Sequence, residues 1–151
     1  MQVHNHLMTG AVIALAVNQP IVAAPLSLAS HYVLDALPHF GFKTPGYEYS
    51  LHQRSTWIVV PVSAFLTAML SVIFVYEHGF AVTGVALISL LPDVEGVFEY
   101  FHRRRNQPVP RVLEAHQNFH AKIQHFERPW GFFTEVAMSV LAGYLLIQLA
   151  T

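Results

Sequence analysis

The chain has 151 residues, 54% of them hydrophobic and only 11% charged, with a formal net charge of −1 and no cysteine. A soluble domain carries roughly 25% charged residues, so this balance, with a mean hydropathy of +0.42, points to a membrane protein. The near-neutral charge argues against a nucleic-acid partner, and the missing cysteines exclude disulfides and thiolate metal sites.

The first segment, "MQVHNHLMTG", lacks a positive n-region, and no A-x-A-like site follows it, so no cleaved leader is expected. Residues 7–30 carry no charge, which suits one long span, but "NQP" at 18–20 is a turn signal in the middle. Two helices, roughly 7–17 and 21–37, fit better. They would make a re-entrant hairpin that enters and leaves on one side, an arrangement membranes tolerate when protein covers it. A polar stretch rich in Gly, Pro and Tyr follows at 39–54. Residues 56–76 are uncharged and match the ~20 residues needed to cross a bilayer. "EHGF" at 77–80 reads as a turn, and 81–101 as the return crossing, interrupted by Pro92, Asp93, Glu95 and Glu99. A second polar stretch, 102–129, contains an amphipathic helix over 110–126, and 131–150 is the last apolar block. The expectation is an all-α integral membrane bundle in a single domain, 1–151. It comprises the re-entrant hairpin, about three further membrane helices and the amphipathic helix.

Histidine is the compositional outlier, with ten residues against eight Lys and Arg combined. All eight cations fall in the two polar stretches, which an up-down helix pair places on one side. By the positive-inside rule that side is cytoplasmic, at an inner membrane of bacterial type. The hairpin brings His4 and His6 to the same side and leaves only His78 on the other. Arg103, Arg104 and Arg105 read as topology determinants that meet anionic headgroups.

Within this greasy chain, "SHYVLDALPHF" sets His31, Asp35 and His39 at four-residue steps along one helical face. His116 and His120 share the same spacing, and His125 follows. Asp93 sits in "LLPDVE" after an apolar run, where an ionised carboxylate facing lipid costs roughly 2.5–3.5 kcal/mol. Asp35 and Asp93 are therefore expected to face each other, imidazoles or a cation. Imidazole with carboxylate suits zinc or another first-row divalent ion. For His31 with Asp35 the plain alternative is a buried hydrogen-bonded pair capping a helix bundle, for Asp93 a helix N-cap after Pro92, and for His116 and His120 the exposed face of a surface helix. Glu99 and His102 form one E-x-x-H pair, but a di-iron centre would need a second.

"NHLMTGAVIAL", "LASHYVLDALPHFG", "LLPDVEG" and "NFHAKIQH" together resemble the predicted membrane-bound metal-dependent hydrolases. The resemblance extends to the LexA-binding, inner-membrane-associated hydrolase family, which is remotely similar to the all-α zinc-dependent phospholipase C and P1 nuclease group. It touches most of the chain, in short blocks. It implies metal ligands at His6, His31, Asp35 and Asp93, with a C-terminal pair at His120 and His125. This chain reads "HAKIQH" where the common form is H-R-G-x-T-H.

The expected activity is metal-dependent hydrolysis of a phosphoester, lipids included, at the cytoplasmic face, with Glu95 or Glu99 as general acid or base. The rival from another class is a non-enzymatic subunit of a homo-oligomer or larger membrane complex. Its histidines and acids would hold a structural metal, haem or pigment, or simply pair. Ion transport through the polar cluster is a third reading.

Overall fold

The computed structural model describes residues 1–40, 56–124 and 127–150. It is helical almost throughout. In chain order the elements are α1 (Val3–Val17), α2 (Pro20–Asp35), β1 (His39–Phe40), α3 (Thr56–Ile88), α4 (Leu91–Arg104), α5 (Arg111–Ile123), β2 (Glu127–Arg128), a 3₁₀ turn (Pro129–Gly131) and α6 (Phe132–Ala150). The extended pieces are two residues each. They pair in parallel, His39 opposite Glu127 and Phe40 opposite Arg128.

The expected N-terminal hairpin is present. Asn18 ends α1 in the left-handed region (φ 51°), which a short amide side chain tolerates, and its N–H bonds back to the Ala14 carbonyl. Pro20 then opens α2 at a position that needs no N–H donor. α1 and α2 press together at Gly10, where a Cβ would meet Ser27 Oγ at 2.7 Å and the Ala86 carbonyl at 2.9 Å.

α3 is two helices in one. Gly79 adopts φ 79° and ψ 179°, a conformation open only to glycine, and the chain reverses there. Ser71, Val72 and Val75 before the bend line a shared apolar groove with Phe80, Thr83, Gly84 and Leu87 after it. Phe74 and Ala86 likewise enter one core with Leu7, Ala11 and Leu90. The turn expected at 77–80 is therefore real. The expected return crossing over 81–101 is not a single helix. It breaks at Ser89 and Leu90, and α4 starts anew with Pro92 in its first turn. A proline removes an internal N–H bond and is best accommodated at a helix start. By length and composition two stretches are apolar enough to cross a membrane, Phe132–Ala150 and Pro61–Ile88, the latter bent at Gly79, where three crossings were expected.

Contacts along the helices give their directions. His4 meets Ser63 and Ser139, Asn5 meets Glu135, and Met8 lies beside Gly143. The core shared by Leu7 and Phe74 continues the same register. So α1, residues 56–78 and α6 run parallel. Ser27 bonds to the Val85 carbonyl and His31 to that of Ser89, so α2 and residues 80–88 run the opposite way. One end of the bundle thus collects the start of α1, the end of α2, the start of α4 and the start of α6. The other end holds the turns at Asn18 and Gly79.

The bundle is inside-out. Its buried set includes Asn5, His6, Ser27, His31, Asp35, Ser63, Thr83, Ser89, His120 and Glu135. Meanwhile Ile21, Phe65, Val72, Phe80, Phe133 and Ile147 are each more than half exposed. Soluble proteins scatter such residues singly, and contiguous apolar surface marks a contact with something apolar.

Candidate metal centre

The polar end of the bundle is built by four helices. α2 contributes His31 and Asp35, one turn apart and both fully buried. His31 Nδ1–H donates to the Ser89 carbonyl at 2.7 Å. That carbonyl is available because the break before α4 leaves it without a helical partner. The bond fixes the imidazole tautomer and turns the Nε2 lone pair inward, as the outer-shell carbonyl of a metal-bound histidine does. Nε2 then lies 3.1 Å from His120 Nε2, 3.3 Å from Asp35 Oδ2 and 3.8 Å from Asp93 Oδ1. His120, from α5, is itself 2.7 Å from Asp35 Oδ2, which also accepts from the Gln124 amide at 2.8 Å.

Four donor atoms, one each from His31, Asp35, Asp93 and His120, lie within 4.8 Å of one another. Bonds of about 2.1 Å to a tetrahedral ion set neighbouring ligand atoms roughly 3.4 Å apart, so this group can hold a metal ion. His6, from α1, adds to the case. Its ring stacks on His31 at 4.0 Å, and Nε2 is 3.2 Å from Asp35 Oδ1. Yet its other ring nitrogen, Nδ1, is buried without a hydrogen-bond partner. Buried polar atoms without partners are costly and call for an ion or ligand. The α-amino group of Met1 also reaches Asp35 Oδ1, where it takes a place that an ion would need.

The electrostatics match what a cation requires. Burial opposes ionisation of Asp35. The imidazoles of His120, His31 and His6, with the nearby amine, overcome it and hold the carboxyl well below the usual carboxylate range. Burial pushes His6 down towards the neutral form, despite Asp35 beside it. Ionised carboxylate and neutral imidazole are the forms that bind metals. His39 is likewise lowered, by burial first.

Two other groupings flank the cluster. Tyr32 hydroxyl lies 2.6 Å from His116 Nε2, and His116 Nδ1 lies 2.5 Å from Glu95 Oε2. This phenol–imidazole–carboxylate chain stands beside the four-residue group, with the Tyr32 ring edge-on to His31 and His120. On the opposite flank Glu135, buried in α6, accepts from the Gln2 N–H at 3.1 Å and from the Asn5 amide at 2.6 Å. It caps a helix, α1, whose own N-cap residue supplies no side-chain bond.

The sequence-expected residues therefore divide. His31, Asp35, Asp93 and His120 come together, with His6 against them. His116 and Glu95 pair with each other one helical turn away. His39 sits on β1, its Nδ1–H donating to the Leu37 carbonyl at 2.8 Å, outside the four-residue group. Glu99 is tied to Arg103 at 2.6 Å on α4. His125 lies outside the described residues. Sequence reasoning passed over Tyr32, Ser89, Gln124, Asn5 and Glu135. Of these only Glu135 carried a signal, as the lone acid in an otherwise uncharged apolar block.

No family model, curated protein or solved structure matches the chain.

Proposed function

We propose that this protein is a metal-dependent hydrolase of phosphoesters, embedded in a membrane with its site at the cytoplasmic face. The observation that carries the reading is the buried convergence of His31, Asp35, Asp93 and His120, joined by His6, whose Nδ1 is buried without a partner. The short-block resemblance to predicted membrane-bound metal-dependent hydrolases agrees with it. The inside-out burial supports the membrane. The two sequence stretches that carry every Lys and Arg connect elements at the cluster end, which supports a cytoplasmic orientation.

In this reading His31, Asp35, Asp93 and His120 would hold a divalent ion, zinc by the chemistry of the donor set, and hydrolysis would require a shell that leaves one position open to water or substrate. Such an ion supplies Lewis acidity toward a phosphoryl oxygen and lowers the pKa of water near it to ~7. The chain's own groups do the rest. Ser89 orients His31, and Gln124 orients Asp35. The Glu95–His116 pair, with the Tyr32 hydroxyl at its inner end, stands where a leaving group or water exchanges a proton. Glu99, engaged by Arg103, takes no part.

The competing reading is a charge-paired core in a non-enzymatic membrane subunit. It draws on one observation: Asp35 Oδ2 already accepts from both His120 and Gln124. Elemental analysis of detergent-purified protein separates the two. The hydrolase reading expects about one zinc or other divalent ion per chain, and turnover of bis-p-nitrophenyl phosphate that chelation abolishes and added metal restores. Protein that binds no divalent ion after dialysis against zinc sinks the hydrolase and leaves the paired core.

A further inference from the structure

α4 shows the burial pattern in its sharpest form. Leu91, Val94, Val97, Phe98 and Phe101 recur at helical spacing and are each between 44% and 58% exposed. The face turned inward carries Pro92, Asp93, Glu95, Gly96, Glu99 and His102, all buried or half-buried. In water this helix would be placed the other way round. Its last turn is His102, Arg103 and Arg104, with Arg105 as the C-cap and its guanidinium 6.0 Å from the Phe101 ring.

We propose that α4 is an interfacial helix that lies in the headgroup layer of an anionic membrane. Its apolar stripe beds at the acyl boundary, and Arg103–Arg105 meet lipid phosphates. The inference rests on the membrane reading above and goes further, because it assigns α4 a depth and a lipid. Three observations commit it to lipid. α4 follows residues 80–88 directly through the break at Ser89 and Leu90, and both segments expose apolar side chains, Phe80 and Leu87 in the first. Two Glu, one Asp and three Arg within or next to 14 residues rule out a crossing of the hydrocarbon core. A strong amphipathic face with clustered Arg at one end is the make-up of helices that lie in the interface and select anionic lipid. The cluster's Asp93 belongs to the first turn of this helix, so the proposed depth sets the centre itself at headgroup level.

The test uses the full chain with Trp57→Phe and Trp130→Phe, reconstituted in vesicles of phosphatidylcholine and phosphatidylglycerol. Single reporters are placed at Phe98→Trp and Phe101→Trp on α4, and at Val140→Trp in the middle of α6. Acyl chains brominated near the headgroup should quench both α4 reporters at least twofold more than chains brominated near the methyl end. The α6 reporter should show the reverse. Bromine carried on phosphatidylglycerol should quench Phe98→Trp more than the same bromine on phosphatidylcholine, and this preference should vanish in the Arg103→Gln, Arg104→Gln, Arg105→Gln variant. If the α6 reporter is quenched and both α4 reporters are not, the inference is overturned while the membrane reading stands. Acrylamide access to the α4 reporters would then show water on the stripe, and protection from acrylamide a second protein copy. If the α6 reporter is unquenched, the membrane reading falls as well.

Discussion

Asp35 is the residue on which the polar end depends. Its two oxygens engage His120, Gln124, His31 and His6, so removing it leaves buried imidazoles facing one another without an anion. Asp35→Ala is expected to abolish metal binding, from about one ion per chain to none by elemental analysis. It should also destabilise the fold by ~3–5 kcal/mol, the cost of breaking a buried charged pair. Asp35→Asn keeps the shape and two hydrogen bonds and should lose the ion while retaining most of the helicity by circular dichroism. Gly131 makes a steric prediction. A Cβ there would lie 2.1 Å from the carbonyl carbon of His39, so Gly131→Ala must push β1 off the start of α6. A loss of at least ~1–3 kcal/mol is expected from thermal unfolding in detergent. Wild-type stability in that variant would refute the close approach. The i,i+4 spacing of His31 and Asp35 and the lone Asp93 after an apolar run were readable in the sequence. Gln124 and Ser89 were not, because their roles exist only once α5 and the helix break meet α2 in space.

At the scale of elements, the bends say most. Nothing lies within 4 Å of a Cβ built on Gly79, so replacing it tests backbone conformation alone. Gly79→Ala should cost ~1–3 kcal/mol through the forbidden φ and ψ, with no packing contribution. Gly84, helical and equally open, is the control, and Gly84→Ala should be neutral or stabilising. Glu135 acts between elements. It reaches from α6 to cap α1, and Glu135→Ala should cost ~1–3 kcal/mol by leaving buried donors unsatisfied. Element existence was legible here, because turn residues announce themselves: Asn18 with Pro20, and Gly79. The break at Ser89 and Leu90 was only partly legible, through Pro92 and the acids that interrupt the block. Leu91, Val94, Val97, Phe98 and Phe101 keep the average hydropathy of 81–101 high, although three acids, Asp93, Glu95 and Glu99, stand between them. A block average mixes the two faces of an amphipathic helix, and only the period of the pattern separates them.

For the molecule as a whole, inside-out burial and one-sided polarity belong together. Every helix end that carries a charged or imidazole group of the cluster gathers at one end, while the other shows the Asn18 and Gly79 turns. The chain lacks cysteine, which makes single-cysteine labelling clean. In sealed vesicles His78→Cys and Gln107→Cys are expected to react with an impermeant maleimide from opposite sides. Labelling of both from the same side would contradict the topology argued above.

Two dry packings lie between the metal centre and the far turns. Leu7, Ala11, Phe74, Ala86 and Leu90 form the first, and Ala14, Ala23 and Val85 the second. Together they make a largely apolar floor, in which the buried Ser27 and Thr83 hydroxyls are tied to the Val85 and Gly79 carbonyls. Under the proposed function, chemistry on such a ledge would move no charge from one compartment to the other, so turnover is expected to be the same in energised and collapsed vesicles.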